Sequence, residues 1–243
     1  MAFVAGKGAR ILVGVYNLGP YLQNASFSLT KDALETTTFQ DGSRDYIEGL
    51  KNGTATLSGL FDPAASASDV ILNAVFSDTA TEAVSIFLGN DAVTTPGYVT
   101  DGWQGSYELG AAFDGLVTVG ASIQASSDGT AGRPGSWQRA LSMVPYAAYT
   151  GIQTFTAADN VTGTTAGGVA TIHATAHTGT NTTIIVESSP DNVSWTPHVT
   201  FTVSAATSSR TFIASGVSIG RYVRGRISAI GTSTTAHVNF ARF

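Results

Sequence analysis

Residues 31–62 read KDALETTTFQDGSRDYIEGLKNGTATLSGLFD, and the two halves of this stretch ask for different surroundings. From Thr54 onward, Ala55, Leu57, Gly59 and Phe61 alternate with Thr54, Thr56, Ser58 and Leu60, a period of two that predicts a strand with one mostly apolar face. Ahead of it, residues 31–50 scatter Leu34, Phe39, Tyr46, Ile47 and Leu50 among charges and threonines, with a turn at Asp41-Gly42. Isolated apolar residues cannot close a core of their own. This arm is therefore expected to be extended, and either solvated or docked on another surface. The asymmetry points to an assembly protein rather than an enzyme.

Working outward, the chain has 243 residues, enough for one large β domain or two smaller ones. Its charged fraction of 12% is about half the usual ~25%. Together with abundant Thr, Val, Ala and Gly, this fits a β-rich protein that hides surface against copies of itself. Residues 1–149 hold 7 Lys+Arg and 14 Asp+Glu, a balance of −7, and residues 150–243 hold 5 and 3, a balance of +2. An acidic first part lacks the clustered cations of a nucleic-acid clamp, yet suits a surface that nucleic acid passes without sticking. With no cysteine, disulfides and thiolate metal sites are excluded. The N-terminal run MAFVAGKGARILVGVYNLG is too interrupted for a signal peptide and too short to span a bilayer. The Asn-x-Ser/Thr matches at Asn24, Asn52, Asn160, Asn181 and Asn192 are therefore expected to be chance matches in a Thr-rich chain.

Strands are predicted at residues 10–16, 24–30, 54–61, 83–89, 103–109 and 116–125, with a loop over 90–102 around Thr-Thr-Pro-Gly. One helix follows residues 63–68, with Ser66 or Ser68 as cap, Asp69 in its first turn and Val70, Ile71, Ala74 and Val75 as its apolar face. Residues 126–136 (SSDGTAGRPGS) make the clearest break, and aromatic residues up to Tyr149 place the boundary there. This gives a first domain over 1–149 and a second over 150–243. Strands at 169–177, 182–189, 198–204, 221–230 and 236–243, with turns at 189–192 and 205–209, have the spacing of a β-sandwich.

The chemistry-bearing groups converge on no reaction. His173 and His177 lie on a predicted strand, where positions i and i+4 are ~13 Å apart, too far to share a zinc with ligands at ~2 Å. Both are read as surface imidazoles. Gly216-Val-Ser218-Ile-Gly220 spells a nucleophile elbow, but a strand pattern follows and no Asp or Glu occurs after Ser218. Gly6-Lys7-Gly8 lacks phosphate-loop spacing. No pair of acids is marked out for glycoside cleavage. Arg224 and Arg226 share a strand face with Tyr222, while Arg221 points the other way. Residues 188–195 (SSPDNVSW) resemble the Ser-x-Asp-Gly-x-x-Trp hairpin of carbohydrate-binding and discoidin-like sandwiches, with Asn192 in place of Gly. No enzyme activity, cofactor or metal is expected.

Residues 34–39 (LETTTF), Asp41-Gly42, the approach at residues 49–54 (GLKNGT), and residues 58–62 (SGLFD) followed by a helix resemble the major tail tube protein of long-tailed bacteriophages, over roughly residues 8–145. The resemblance implies an all-β fold: a tail-tube-type β-sandwich or barrel with one helix, followed by a second β-sandwich on the tube exterior. It implies sheets joined between copies into hexameric rings (trimeric if the tube fold is duplicated), stacked into a tube, with an extended arm bridging rings. The partners implied are copies of the chain itself, other tail proteins and DNA in transient, non-specific passage, with no membrane. The place implied is the virion tail, after synthesis in the host bacterial cytoplasm. Candidate assembly residues in the arm are Leu34, Glu35, Thr36, Thr37, Phe39, Asp41, Arg44, Asp45, Tyr46 and Leu50. Candidates for an outer-domain contact are Trp195, Tyr222, Arg224 and Arg226. The alternatives are a host-surface or carbohydrate-binding module built on the C-terminal sandwich and Trp195, or a decoration or tail-terminator protein.

Overall fold

A computed structural model describes residues 6–39, 42–65, 67–126 and 136–243. After a 3-10 turn (Gly6–Gly8) come β1 (Arg10–Val13), β2 (Tyr16–Asn17), β3 (Leu22–Glu35), β4 (Tyr46–Leu60), α1 (Ser68–Ser77), β5 (Glu82–Phe87), β6 (Pro96–Gly110) and β7 (Thr118–Ser126). The remainder is β8 (Gln138–Tyr149), β9 (Gln153–Thr154), β10 (Ala158–Asp159), β11 (Gly168–Thr178), β12 (Thr182–Ser189), β13 (Thr196–Val203), β14 (Thr207–Ile213), β15 (Tyr222–Ala229) and β16 (Ser233–Arg242). The fold is all-β with one α-helix among the described residues.

Two compact units share these elements. The first comprises Met1–Pro20, Glu82–Val99 and Gln138–Phe243; the second comprises Tyr21–Thr81 and Thr100–Trp137. Residues 1–149, read from sequence as one segment, are thus distributed over both. The physical reason is β8. It pairs along its length with β16, and Met143, Val144 and Tyr149 sit in one core with the C-terminal strands.

In the first unit a sheet ordered β14-β11-β16-β8-β6-β5-β1-β2 and a second ordered β10-β15-β12-β13, with β9 also on β15, supply the two faces of a sandwich. Alternate residues of β11 (Ala170, Ile172, Ala174), β12 (Ile184, Val186), β13 (Val199, Phe201, Val203) and β16 (Ala236, Val238, Phe240) fill its core. The expected strands at 169–177 and 182–189 are found almost residue for residue. The expected turn at 205–209 is shorter than that, because Thr207 to Ser209 already belong to β14. This strand ends its sheet, pairs only with β11, and its polar residues carry no apolar alternation to betray it.

In the second unit β3, β4, β7 and the later part of β6 pair in that order. Ala55 and Leu57 of β4 and Val119, Ala121, Ile123 and Ala125 of β7 are buried, as their period of two predicts. α1 packs on β7 through Ile71 and Leu72, whereas Val70 and Ala74 of the expected apolar face are exposed. Ser68 is no side-chain cap. Its buried hydroxyl donates to the Leu60 carbonyl (2.7 Å) and accepts from the Asp62 N–H (3.0 Å), tying the helix start to the end of β4. The alternative cap, Ser66, lies outside the described residues, as does most of the break at 126–136. β6 begins inside the expected loop: Pro96 opens the strand, a place proline tolerates. Gly97 lies so close to the Phe87 ring that a Cβ would clash, so the Pro-Gly pair serves close packing rather than a turn.

Candidate assembly surface

The arm is a hairpin with one register shift, between Lys31 and Ala33. β3 and β4 continue pairing beyond the sheet, with Lys31 opposite Lys51, Leu34 opposite Ile47 and Glu35 opposite Tyr46. The Thr36 N–H donates to the Asp45 carbonyl, and the Asp45 N–H to Thr37 Oγ1 at 3.0 Å. β7 stops following β4 at Gln124 opposite Thr54. Gln124 still reaches Asn52 and Gly53 through its side-chain amide, and beyond them no other strand among the described residues pairs with the hairpin. Its apolar side chains are bare: Leu34, Tyr46 and Ile47 are exposed, Leu50 is 80% exposed and Phe39 at the tip is fully so. Lys31 pairs with Glu48 at 2.8 Å and Arg44 approaches Glu35 at 3.9 Å. These exposed pairs align the strands and add little stability. The Lys31 hydrogen bond holds the Glu48 carboxyl below its ordinary pKa. Asp41 lies outside the described residues.

A second bare cluster occupies the opposite end of the same sheet. Leu60 faces Thr118 in the β4–β7 register, which puts the β6–β7 turn at the end away from the arm. There Leu109, Phe113, Leu116 and Val117 are exposed. Sequence reading missed this end: the run AAFDGLV at 111–117 is the signal that could have marked it.

The candidates on the C-terminal strands are engaged within the chain. Glu187, 2% exposed, receives Arg224 Nε at 2.7 Å and Arg226 Nε at 3.4 Å. The Arg224 guanidinium also lies 3.7 Å from the centroid of the Trp195 ring. Tyr222 is half-buried under Arg221, whose fork grips Asp159 with two 2.6 Å bonds and holds its carboxyl down at about 2. Trp195 ends a turn in which Asp191 Oδ1 accepts from the Val193 and Ser194 N–H groups, both at 2.9 Å. Asn192 takes φ 63° there, the left-handed geometry for which the compared hairpins use glycine.

His173 is fully buried rather than at the surface. Its Nδ1–H donates to the Gly14 carbonyl at 2.8 Å, and Nε2 accepts from Ser85 Oγ at 2.7 Å. His237, directly opposite in the β11–β16 register, is equally buried. Its Nε2–H donates to Ser142 Oγ at 3.3 Å, whose own proton goes to the Asp91 carbonyl. Burial pushes both imidazoles toward the neutral form, His173 to about 4. His177 is half-buried and bonded to Thr234. Sequence alternation could not reveal this, because a histidine among Thr and Ala carries no burial signature. Ser218 lies in an exposed loop without the strand–turn–helix setting of a nucleophile elbow. Among the described residues no three His, Asp or Glu side chains converge on a metal position, and no helix is long and apolar enough to cross a membrane.

No protein family matches the chain, and no curated protein matches it in sequence. Similar solved structures include a chain of the virion of a native gene transfer agent particle, at 14% identity over 51% of this chain and 94% of that one, TM-score 0.42. The SPP1 tail tube is similar at 11% identity, over 50% of this chain and 75% of that one, TM-score 0.41. The SPP1 Dit protein, described as a paradigm of hub adsorption apparatus in phages infecting Gram-positive hosts, is similar at 9% identity over 97% of this chain and 99% of that one, TM-score 0.38.

Proposed function

We propose that the chain is a structural subunit of a phage-type tail, whose copies join by their sheets into rings that stack into a tube. The observation that supports this most is the distal hairpin of β3 and β4. It is a two-stranded element with bare Leu34, Phe39, Ile47 and Leu50, and no third strand among the described residues pairs with it beyond Thr54. A lone two-stranded ribbon is marginal in water, and an exposed apolar edge invites pairing with another chain. The bare β6–β7 turn at the other end of the sheet supplies a matching surface, and two different ends meeting give a head-to-tail contact that closes into rings or extends into filaments. In this proposal the rings are hexameric, residues 1–149 supply the wall, residues 150–243 face outward, and β8 joins the two parts. Leu34, Glu35, Thr36, Thr37, Phe39, Arg44, Asp45, Tyr46 and Leu50 bear the contact between copies. DNA passes along an acidic inner wall.

Negative-stain imaging and sedimentation of the purified chain test the proposal. Rings or tubes are expected, and Phe39→Ser with Leu50→Ser should leave soluble monomers with an unchanged circular dichroism spectrum. A wild-type chain that stays monomeric at high concentration and across salts ends it.

A further inference from the structure

β8 and β16 run antiparallel with Leu141 opposite Phe240. Continued by two residues, that register sets Arg139 opposite Arg242. Both lie on the strand face that carries Leu141, Met143 and Phe240. Both arginines line one cavity, Arg139 exposed and Arg242 half-buried, and like charges close together on one sheet face disfavour each other, which makes the pair receptive to an anionic group. The described residues supply none. Among the described residues Arg139 has no hydrogen-bond or ion-pair partner for its side chain. Arg242 gives Nη2 to the Thr162 carbonyl at 2.8 Å, and its buried Nε has no partner. Asp159, the acid lining the adjoining cleft with Arg139, is already held by both arms of Arg221. Burial also lowers the Arg242 pKa.

The two guanidiniums line a cavity of about 210 Å³ whose other walls include Leu141, Met143, Val223 and Phe240. We propose that Arg139 and Arg242 bind the carboxylate of a compact organic acid, with its apolar body against Leu141, Met143, Val223 and Phe240. A guanidinium fork matches a carboxylate in two parallel bonds. The apolar wall sets the preference for a carboxylate with a hydrophobic body over a bare inorganic anion, which would leave that wall wet. The volume is below the ~300 Å³ at which pockets for drug-sized ligands begin, so the acid is small. The site is independent of tail assembly: it lies in the first unit, away from the β3–β4 hairpin residues on which assembly is proposed to depend.

The test is titration calorimetry and thermal melting of the whole chain at low salt with benzoate, benzamide, glucuronate and inorganic phosphate. Benzoate is expected to bind and raise the Tm, benzamide of the same shape to do neither, and phosphate to bind more weakly than benzoate. Arg139→Gln and Arg242→Gln are each expected to weaken benzoate by about tenfold or more, the equivalent of losing one charge-assisted bond. Arg139→Gln should also raise the Tm of the unliganded chain by relieving repulsion. Glucuronate binding more tightly than benzoate assigns the carboxylate to a sugar acid, and the reverse order to a free hydrophobic acid. Either order supports the site. Absence of binding by both acids at tens of millimolar, an equal response to benzamide, phosphate matching benzoate, or a lowered Tm in unliganded Arg139→Gln overturns it.

Discussion

Glu187 answers two guanidiniums from an almost completely buried position, and removing its charge leaves Arg224 and Arg226 facing each other without a counter-ion. Because both arginines keep partial contact with water, the cost falls below that of a fully buried pair. Glu187→Gln is expected to destabilise by about 2 kcal/mol in urea unfolding. The buried histidines set an acid limit. The unfolded chain takes up protons below about pH 6.5, whereas folded His173 does so only near 4, and His237 is shifted the same way. The unfolded state therefore binds more protons as pH falls from 6.5 toward 4. His173 then removes about 1.4 kcal/mol per pH unit across that window, and His237 adds to the loss in the same direction. Denaturation midpoints at pH 7 and pH 5 should differ less in His173→Gln than in the wild type, and identical differences would show that His173 does not set this limit.

At the scale of elements, the strands that sequence read well are those buried on one face, β7 and β12, because burial imposes the alternation that the eye detects. What it could not read were elements answering to other demands. β14 is a polar edge strand, β6 starts on a Pro-Gly pair, and the arm is ordered by backbone pairing between β3 and β4 rather than by side-chain pattern. The arm's residues were legible as an apolar scatter without a core, yet not as a hairpin. Ser68 shows the same limit for α1: serine before an apolar run reads as a cap, while its role here is to satisfy backbone groups at Leu60 and Asp62. Ser68→Ala should cost about 1–3 kcal/mol, since it strands both groups in a buried place, and should lower the Tm without altering helix content in circular dichroism.

For the whole molecule, charge and exposed apolar surface make separable predictions. On the proposed assembly, ring formation rests on apolar contacts. It should persist from low to several hundred millimolar salt, beyond the range where a ~10 Å Debye length screens surface ions. The −5 net charge should leave double-stranded DNA unretarded in a gel at physiological salt, and a salt-sensitive shift would contradict the proposed inert inner wall. The sequence reading set the boundary at Tyr149 because aromatic residues continue past the glycine- and serine-rich break, whereas the units change at Trp137 and Gln138, directly after that break. Residues 82–99 join the C-terminal strands across a long separation in sequence that no local pattern announces. The bare Phe39 at the hairpin tip has one more consequence. Chymotrypsin cuts after phenylalanine, and here its preferred side chain stands fully exposed, at a spot where a nick severs the limb and spares the sheet. Digestion kinetics thus become a gauge of polymerisation: fast clipping after Phe39, and after the equally bare Phe113 of the β6–β7 turn, for the lone subunit, and resistance once neighbours shelter both ends.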